Sequence, residues 1–341
     1  MPLPQPAVDG YRTQQAITAT TVAAARRVWS GMDGDFDTAW AAIGPRLVAL
    51  VAAAQQRSAT EGAAALTATV RDLGLPPDNA GDVDPAALAG VASDGRPLDS
   101  LLYGAVVDTR AQAGTGADID TALTHGQGWL DTTIRTALAD AARAAAQVAL
   151  ASHHRVGGYI RMLNPPSCSR CAVLAGRFYR WNAGFRRHPA CDCRHVPASE
   201  DVAGELTTDP RAYFTSLSAR DQDRIFTRAG AEAIRHGADI SQVVNARRSA
   251  AGLSTAGARV TRAEAQQLRG GAARGSLVPV TLHGKPVYVT TEGTTRRGLF
   301  GAAARARDGR PVVRLMPETI LDIATDRDDA IRLLRRYGYL R

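Results

Sequence analysis

The sequence predicts a mainly α protein: an Ala-rich helical N-terminal half, a small Cys/His metal-binding module, and an α+β C-terminal part with one β-hairpin. Three observations predict it. Alanine carries much of the 45% hydrophobic content and aromatics are only 5%, which favours helix while leaving little to bury per residue. Apolar residues recur at spacings of three and four through the first half. All four cysteines fall between residues 168 and 193. The 341 residues suffice for about two domains. Turn-rich breaks divide them into an N-terminal helical region (1–112), a long helix with the Cys/His module (113–200) and a basic C-terminal region (201–341).

Residues 1–10 contain proline and read as loose. Helices are expected over 13–30 and 38–57. In the second, Trp40, Ile43, Leu47, Leu50, Val51 and Ala54 form one stripe, and Asp37 is placed to cap it. A further helix over 58–74 ends near Gly74 and the prolines at 76 and 77. The breaks "PPDNAGDVDP" (76–85) and "AGTGAD" (113–118) flank short helices around Leu88, Leu101 and Val106. A long Ala-rich helix over 129–154 buries Leu130, Ile134, Leu138, Ala141, Ala145 and Val148, and delivers the chain to the cysteines. His153 and His154 at its end read as surface or cap residues.

Beyond the cysteines, Ser218 with Asp221 opens a helix that Gly237 closes, and a short one follows from Asp239. Thr261 with Glu264 resembles a capping box. "VPVTLHGKPVYVTT" (278–291) alternates apolar and polar residues around "HGK", the pattern of a β-hairpin. "DRDDAIRLLRRYGYL" is a capped helix, with acids in its first turn, arginines in its last and Gly338 just past its end.

The net charge of +8 is unevenly placed. Residues 1–150 carry 10 arginines against 16 acids, a balance of −6, and residues 151–341 carry 31 basic residues against 17 acids, a balance of +14. A basic second half suits a polyanionic neighbour, or is a solvated surface. Neither a signal peptide nor a run of ~18 uninterrupted apolar residues is visible, so the chain reads as cytosolic when made, without a membrane. Thiols there stay reduced, which points away from disulfides and towards a metal.

Cys168-x2-Cys171 has zinc-knuckle spacing: two thiolates on one turn can grip one tetrahedral ion. His188-Pro-Ala-Cys191-Asp-Cys193 offers three more donors after 16 intervening residues. A structural Zn²⁺ on Cys168, Cys171, Cys191 and Cys193 is the first choice. His188 is the alternative to Cys191, because adjacent C-x-C ligands crowd one ion. His195 reads as a surface residue. Reduced, unliganded cysteines packed as small hydrophobes are the plain alternative, or a disulfide formed later outside the cell.

Arginines crowd the same window, at Arg170, Arg177, Arg180, Arg186, Arg187 and Arg194, interleaved with Phe178, Tyr179, Trp181 and Phe185. Basic residues with aromatics are the pattern of a nucleic-acid surface. Alternatively the aromatics form a mini-core over the metal and the arginines offset its thiolates. No H-E-x-x-H, G-x-S-x-G, P-loop or E-x-E acid pair occurs, and no Asn/His framework on a ββα pattern follows His188 or His195. The chain is therefore read as non-enzymatic, without a small-molecule substrate.

The window "CSRCAVLAGRFYRW…RHPACDCRH" resembles the phage Mu protein F-like minor capsid, or head morphogenesis, family. The motif positions are Cys168, Cys171, Gly176, His188, Pro189, Cys191 and Cys193, over about thirty residues. The segments "DQDRIFTRAGAEAIRHGADISQVVNARR" and "RLMPETI…DRDDAIRLLRRYGYL" look similar to minor capsid proteins of tailed actinobacterial phages. The resemblance implies a low-copy structural protein of the virion. It would be made in the host cytoplasm and associate with portal and major capsid proteins on the capsid interior, close to packaged DNA. Two alternatives stay open: a zinc-ribbon nucleic-acid-binding protein, and a capsid maturation protease or nuclease.

Overall fold

The computed structural model describes residues 3–75, 78–163, 167–184, 193–198, 209–241, 243–244, 277–282, 285–290 and 315–341. The protein is mainly helical with a small three-stranded antiparallel sheet. It divides into two compact units. One comprises residues 1–3, 157–180 and 193–273; the other comprises 4–156, 181–192 and 274–341.

The larger, helical unit is built on α1 (Gln5–Trp29), α2 (Phe36–Asp72) and α5 (Ile119–Ser152), with short α3 (Leu98–Leu102) and α4 (Gly104–Gly114) between. The periodic stripes meet in one core of Val22, Trp29, Ile43, Leu47, Leu102 and Ile134 and their neighbours. The price of an alanine-rich interface is that helices must come close. At Gly62 on α2, a Cβ would sit 2.2 Å from the Ala142 carbonyl oxygen on α5, so only glycine fits the crossing.

Several boundaries differ from expectation, each for a local reason. The helices expected over 38–57 and 58–74 are the single α2; nothing between them breaks a helix, and Ser58 is fully buried. Asp35, not Asp37, is the N-cap, accepting from the Thr38 amide at 3.3 Å; Asp37 lies in the first turn, where an acid favours the helix dipole. Helix α5 begins ten residues earlier than expected because Asp118 caps it, accepting from the Thr121 amide at 2.9 Å and its hydroxyl at 2.8 Å. These bonds hold the Asp118 carboxyl below its usual range. Although no membrane span was expected, α2 is long and apolar enough by composition to cross one; here its buried residues pack within the unit.

A second core gathers Leu88, Ala145, Val148, Ile320, Leu334 and Tyr339, bringing in α10 (Pro317–Ile323) and α11 (Arg327–Arg336). Helix α11 starts at Asp326, which accepts from the Asp329 amide at 2.8 Å, and ends before Gly338 at φ +72°, as expected. The chain end is tied down by Arg341, whose guanidinium meets Asp84 at 2.8 Å. Strands β4 (Leu277–Leu282) and β5 (Lys285–Thr290) pair antiparallel from Leu277↔Thr290 to Leu282↔Lys285, where the hairpin was expected.

The smaller unit holds the sheet, which the sequence did not announce. Its order is β2 (Phe178–Arg180), β1 (Gly158–Met162), β3 (Arg194–Ala198), with both pairings antiparallel. Helices α6 (Ser169–Leu174), α7 (Pro210–Ser216), α8 (Ala219–Phe226) and α9 (Arg228–Arg235) accompany it. The one helix expected from Ser218 to Gly237 is two, α8 and α9. Thr227 interrupts it at φ +62° and caps α9 through its hydroxyl, which accepts from the Gly230 amide at 3.3 Å. The expected capping box at Thr261 and Glu264 lies outside the described residues.

Candidate functional site

The cysteine window is built on the small sheet. Strand β1 is buried along its whole length. Its register sets Tyr159 opposite Tyr179 on one neighbour and Pro197 on the other, and Arg161 opposite His195. Because side chains alternate across a strand, Tyr159, Arg161, Tyr179 and His195 share one face, and Ile160, Met162 and Val196 the other. Tyr159 stacks on Tyr179 at 5.4 Å between centroids and meets the His195 ring at 4.1 Å. His195 is thus 7% exposed, not the surface residue expected, because its ring closes an aromatic row.

Cys168 is the N-cap of α6, and its Sγ accepts from the Cys171 amide at 3.4 Å. Cys168 is half-buried, Cys171 is buried, and their sulfurs lie 3.3 Å apart. Arg161, 2% exposed, donates from its guanidinium to the Cys171 sulfur at 3.3 Å. The Gly176 amide donates to the Arg161 carbonyl at 3.1 Å, fastening the turn after α6 to the strand. On the other side of the loop, the Tyr213 hydroxyl of α7 donates to the Ser167 carbonyl and accepts from the Ser167 amide, both at 2.8 Å. Burial raises the Tyr213 phenol above its usual range, and the nearby thiols Cys168 and Cys171 add to this.

Two thiolates 2.3 Å from one tetrahedral zinc lie about 3.8 Å from each other. The Cys168–Cys171 pair, at 3.3 Å, needs only a small opening to share an ion. Cys193, fully buried, immediately precedes β3, but among the described residues no group of three or more His, Cys, Asp or Glu side chains is placed to hold a metal. Cys191 and His188 lie outside the described residues. Among the described residues, two of the expected donors, Cys168 and Cys171, are therefore brought together.

Of the arginines expected at a nucleic-acid surface, Arg170, Arg177 and Arg180 are exposed and Arg194 is half-buried. Arg180 pairs with Gly158 and Arg194 with Met162, which puts both on one face of the sheet at opposite edges. Arg170 stands on α6 and Arg177 just before β2. Arg186 and Arg187, like Phe185, lie outside the described residues. The expected aromatic mini-core is divided: Phe178 and Tyr179 belong to the sheet, while Trp181 packs on the second helical core. There the Arg327 guanidinium lies over its ring at 4.7 Å.

Sequence reasoning missed Arg161 and Tyr213. Arg161 carried one signal: it is a lone charge inside "YIRML", an otherwise apolar run. Tyr213 carried none. His153, expected as a surface or cap residue, is the C-cap of α5 and is 1% exposed, and Arg327 donates to its carbonyl. His154, half exposed, faces Asp328 at 3.5 Å. In comparisons with known proteins, no family model, no curated protein and no solved structure matches the chain.

Proposed function

We propose that the chain is a structural minor capsid, or head morphogenesis, protein of a tailed phage. It would associate with portal and major capsid proteins on the capsid interior, near packaged DNA. The observation that carries this reading is the cysteine window itself. Its C-x2-C…H-P-x-C-x-C order and spacing resemble the Mu F-like family, and its first two thiols are held 3.3 Å apart on a turn fastened from both sides. A device of this kind suits a short, core-poor segment that must stay rigid. The long helices of the larger unit offer extended faces for protein–protein docking, and the exposed arginines of the smaller unit suit a DNA-facing role.

A structural Zn²⁺ on Cys168, Cys171, Cys193 and either Cys191 or His188 belongs to the same proposal. Bound zinc would contribute folding energy to this segment. Arg161, donating to Cys171, would offset part of the negative charge of a multi-thiolate site.

The test is proteomics of purified particles together with co-purification of the tagged chain with portal protein. Low-copy recovery in heads, and no viable particles on deletion, are expected; absence from purified virions would refute the proposal. The exposed Arg170, Arg177 and Arg180 favour a second reading, a nucleic-acid-binding protein on a zinc-ribbon module. That reading requires sequence-selective DNA binding that weakens steeply with salt. Weak, sequence-independent binding fits the capsid role instead.

A further inference from the structure

We propose that Cys168 and Cys171 are a redox pair that closes to a disulfide by exchange with a small-molecule disulfide of the glutathione type. The inference rests on the geometry of the pair and holds whether or not the chain enters a phage head.

Three observations carry it. The two sulfurs are 3.3 Å apart, beyond the ~2.05 Å of a disulfide bond yet adjacent enough to form one by a small torsional change. The sulfurs are unequal: Cys168 is half-buried at the start of α6, while Cys171 is 3% exposed behind it. That inequality suits the two steps of exchange, one sulfur meeting the reagent and the other resolving it. Arg161 anchors the resolving sulfur. It sits on the central strand of the sheet, 2% exposed, and its guanidinium donates to Cys171 Sγ at 3.3 Å. Arg161 is thus a positioning residue, holding Cys171 beside Cys168.

The chemistry balances as thiol–disulfide exchange. Cys168 sulfur, as thiolate, attacks one sulfur of the small disulfide; that S–S bond breaks, a mixed disulfide forms and one small thiolate leaves. Cys171 sulfur, likewise as thiolate, then attacks Cys168 Sγ; the mixed bond breaks, the Cys168–Cys171 bond forms and a second small thiolate leaves. The two protein thiols are oxidised, one small disulfide is reduced, and the two thiol protons end on the departing thiols. A metal held by these sulfurs and the disulfide exclude one another, since both use the same sulfur electron pairs. The reducing cytosol keeps the pair open, and an oxidising medium outside the cell favours closure.

The full chain, as purified and in parallel after chelator dialysis, is incubated with oxidised glutathione, quenched with N-ethylmaleimide and digested with trypsin. Cleavage after Arg170 separates the cysteines, so a closed pair leaves peptides 162–170 and 171–177 linked until reduction. This linked pair is expected as the main disulfide product in the dialysed sample, whether or not the metal protects it in the other. Arg161→Met should slow closure about tenfold, the scale of one hydrogen bond to a charged group, and Arg161→Lys should recover part of the rate. If Cys168 stops at the glutathione adduct, if the main bridge involves Cys193, or if the thiols stay alkylatable in both samples, the proposal is overturned. None of these outcomes bears on recovery in virions, so the two proposals fail separately.

Discussion

Tyr213 and Ser167 exchange two hydrogen bonds through one hydroxyl: the phenol donates to the Ser167 carbonyl and accepts from its amide, both at 2.8 Å. The tyrosine is 4% exposed and the serine 2%. One side chain thus satisfies both backbone groups of a residue in the loop that leads into Cys168. Buried backbone groups left without partners cost about 1–3 kcal/mol each. Tyr213→Phe keeps the ring and removes both bonds. It should destabilise the smaller unit by about 2–4 kcal/mol and make Cys168 react faster with a thiol reagent. A variant with unchanged denaturation midpoint and unchanged thiol reactivity would show that the clamp does not position the loop.

The closeness of α2 and α5 gives a paired test. At Gly62 on α2 an added Cβ meets the Ala142 carbonyl oxygen at 2.2 Å, whereas at Gly128, exposed on α5, nothing lies within 4 Å. Gly62→Ala should cost about 1–3 kcal/mol, because the helices must part to admit it. Gly128→Ala should gain about 0.5–1 kcal/mol from helix propensity alone. Urea unfolding of the two variants beside the parent checks the opposite signs.

How much of this was legible in sequence follows from which forces write a pattern. The α5 stripe of Leu130, Ile134 and Leu138 is entirely buried, and the acids in the first turn of α11, the arginines in its last and the stop at Gly338 stand where they were expected. Periodicity and capping are local, so they are readable. The three-stranded sheet was not readable. Strand β1 is buried at every residue and so shows no alternation, and β2 is only three residues long. Both flank or enter the cysteine window, where the spacing of thiols drew attention to metal chemistry instead. Arg161 stood out only as the lone charge in the apolar run "YIRML", and because charge ordinarily marks surface its burial was not readable. Only tertiary pairing, with His195 opposite and Cys171 alongside, gives it a place. Cys168 and Cys171 were found from spacing, because two thiols three residues apart meet on one helical turn; Cys191 and His188 lie outside the described residues.

Arg327 joins the C-terminal helix to the end of α5 by polar contacts. It donates to the carbonyls of His153 and, at 2.7 Å, Val156, while its guanidinium stacks over Trp181 at 4.7 Å. Hydrogen bonds to a charged group contribute about 1.5–3 kcal/mol, and a partly desolvated cation–π contact about 0.5–2 kcal/mol. Arg327→Met preserves much of the apolar stem and should cost about 2–4 kcal/mol, with a shift of tryptophan emission as Trp181 loses its cover. Arg327→Lys should recover less than half, because an ammonium does not reproduce the planar fork. Full recovery by lysine would mean that charge alone matters at this position.

The same corner should make stability depend on pH. Burial holds the His153 imidazole below its usual range; the Asp78 carboxylate, 3.7 Å from Nδ1, pulls the other way, and Arg327 and Arg71 reinforce the lowering. In the unfolded chain the group titrates near 6.5. Above that pH both states are neutral and the full stability is present. As pH falls below it, the unfolded chain takes up a proton that the folded chain refuses. Stability then declines until the folded imidazole itself protonates, by at most about 1.4 kcal/mol per pH unit. Asp118, Asp221 and Asp329 have carboxyls held below the usual range by hydrogen bonds. Their contribution is present at neutral pH and is lost only near and below pH ~4, so the two windows separate. Urea midpoints between neutrality and about pH 5 should therefore fall with acidification in the parent and stay nearly flat in His153→Gln. An equal slope in both would place the responsible group elsewhere.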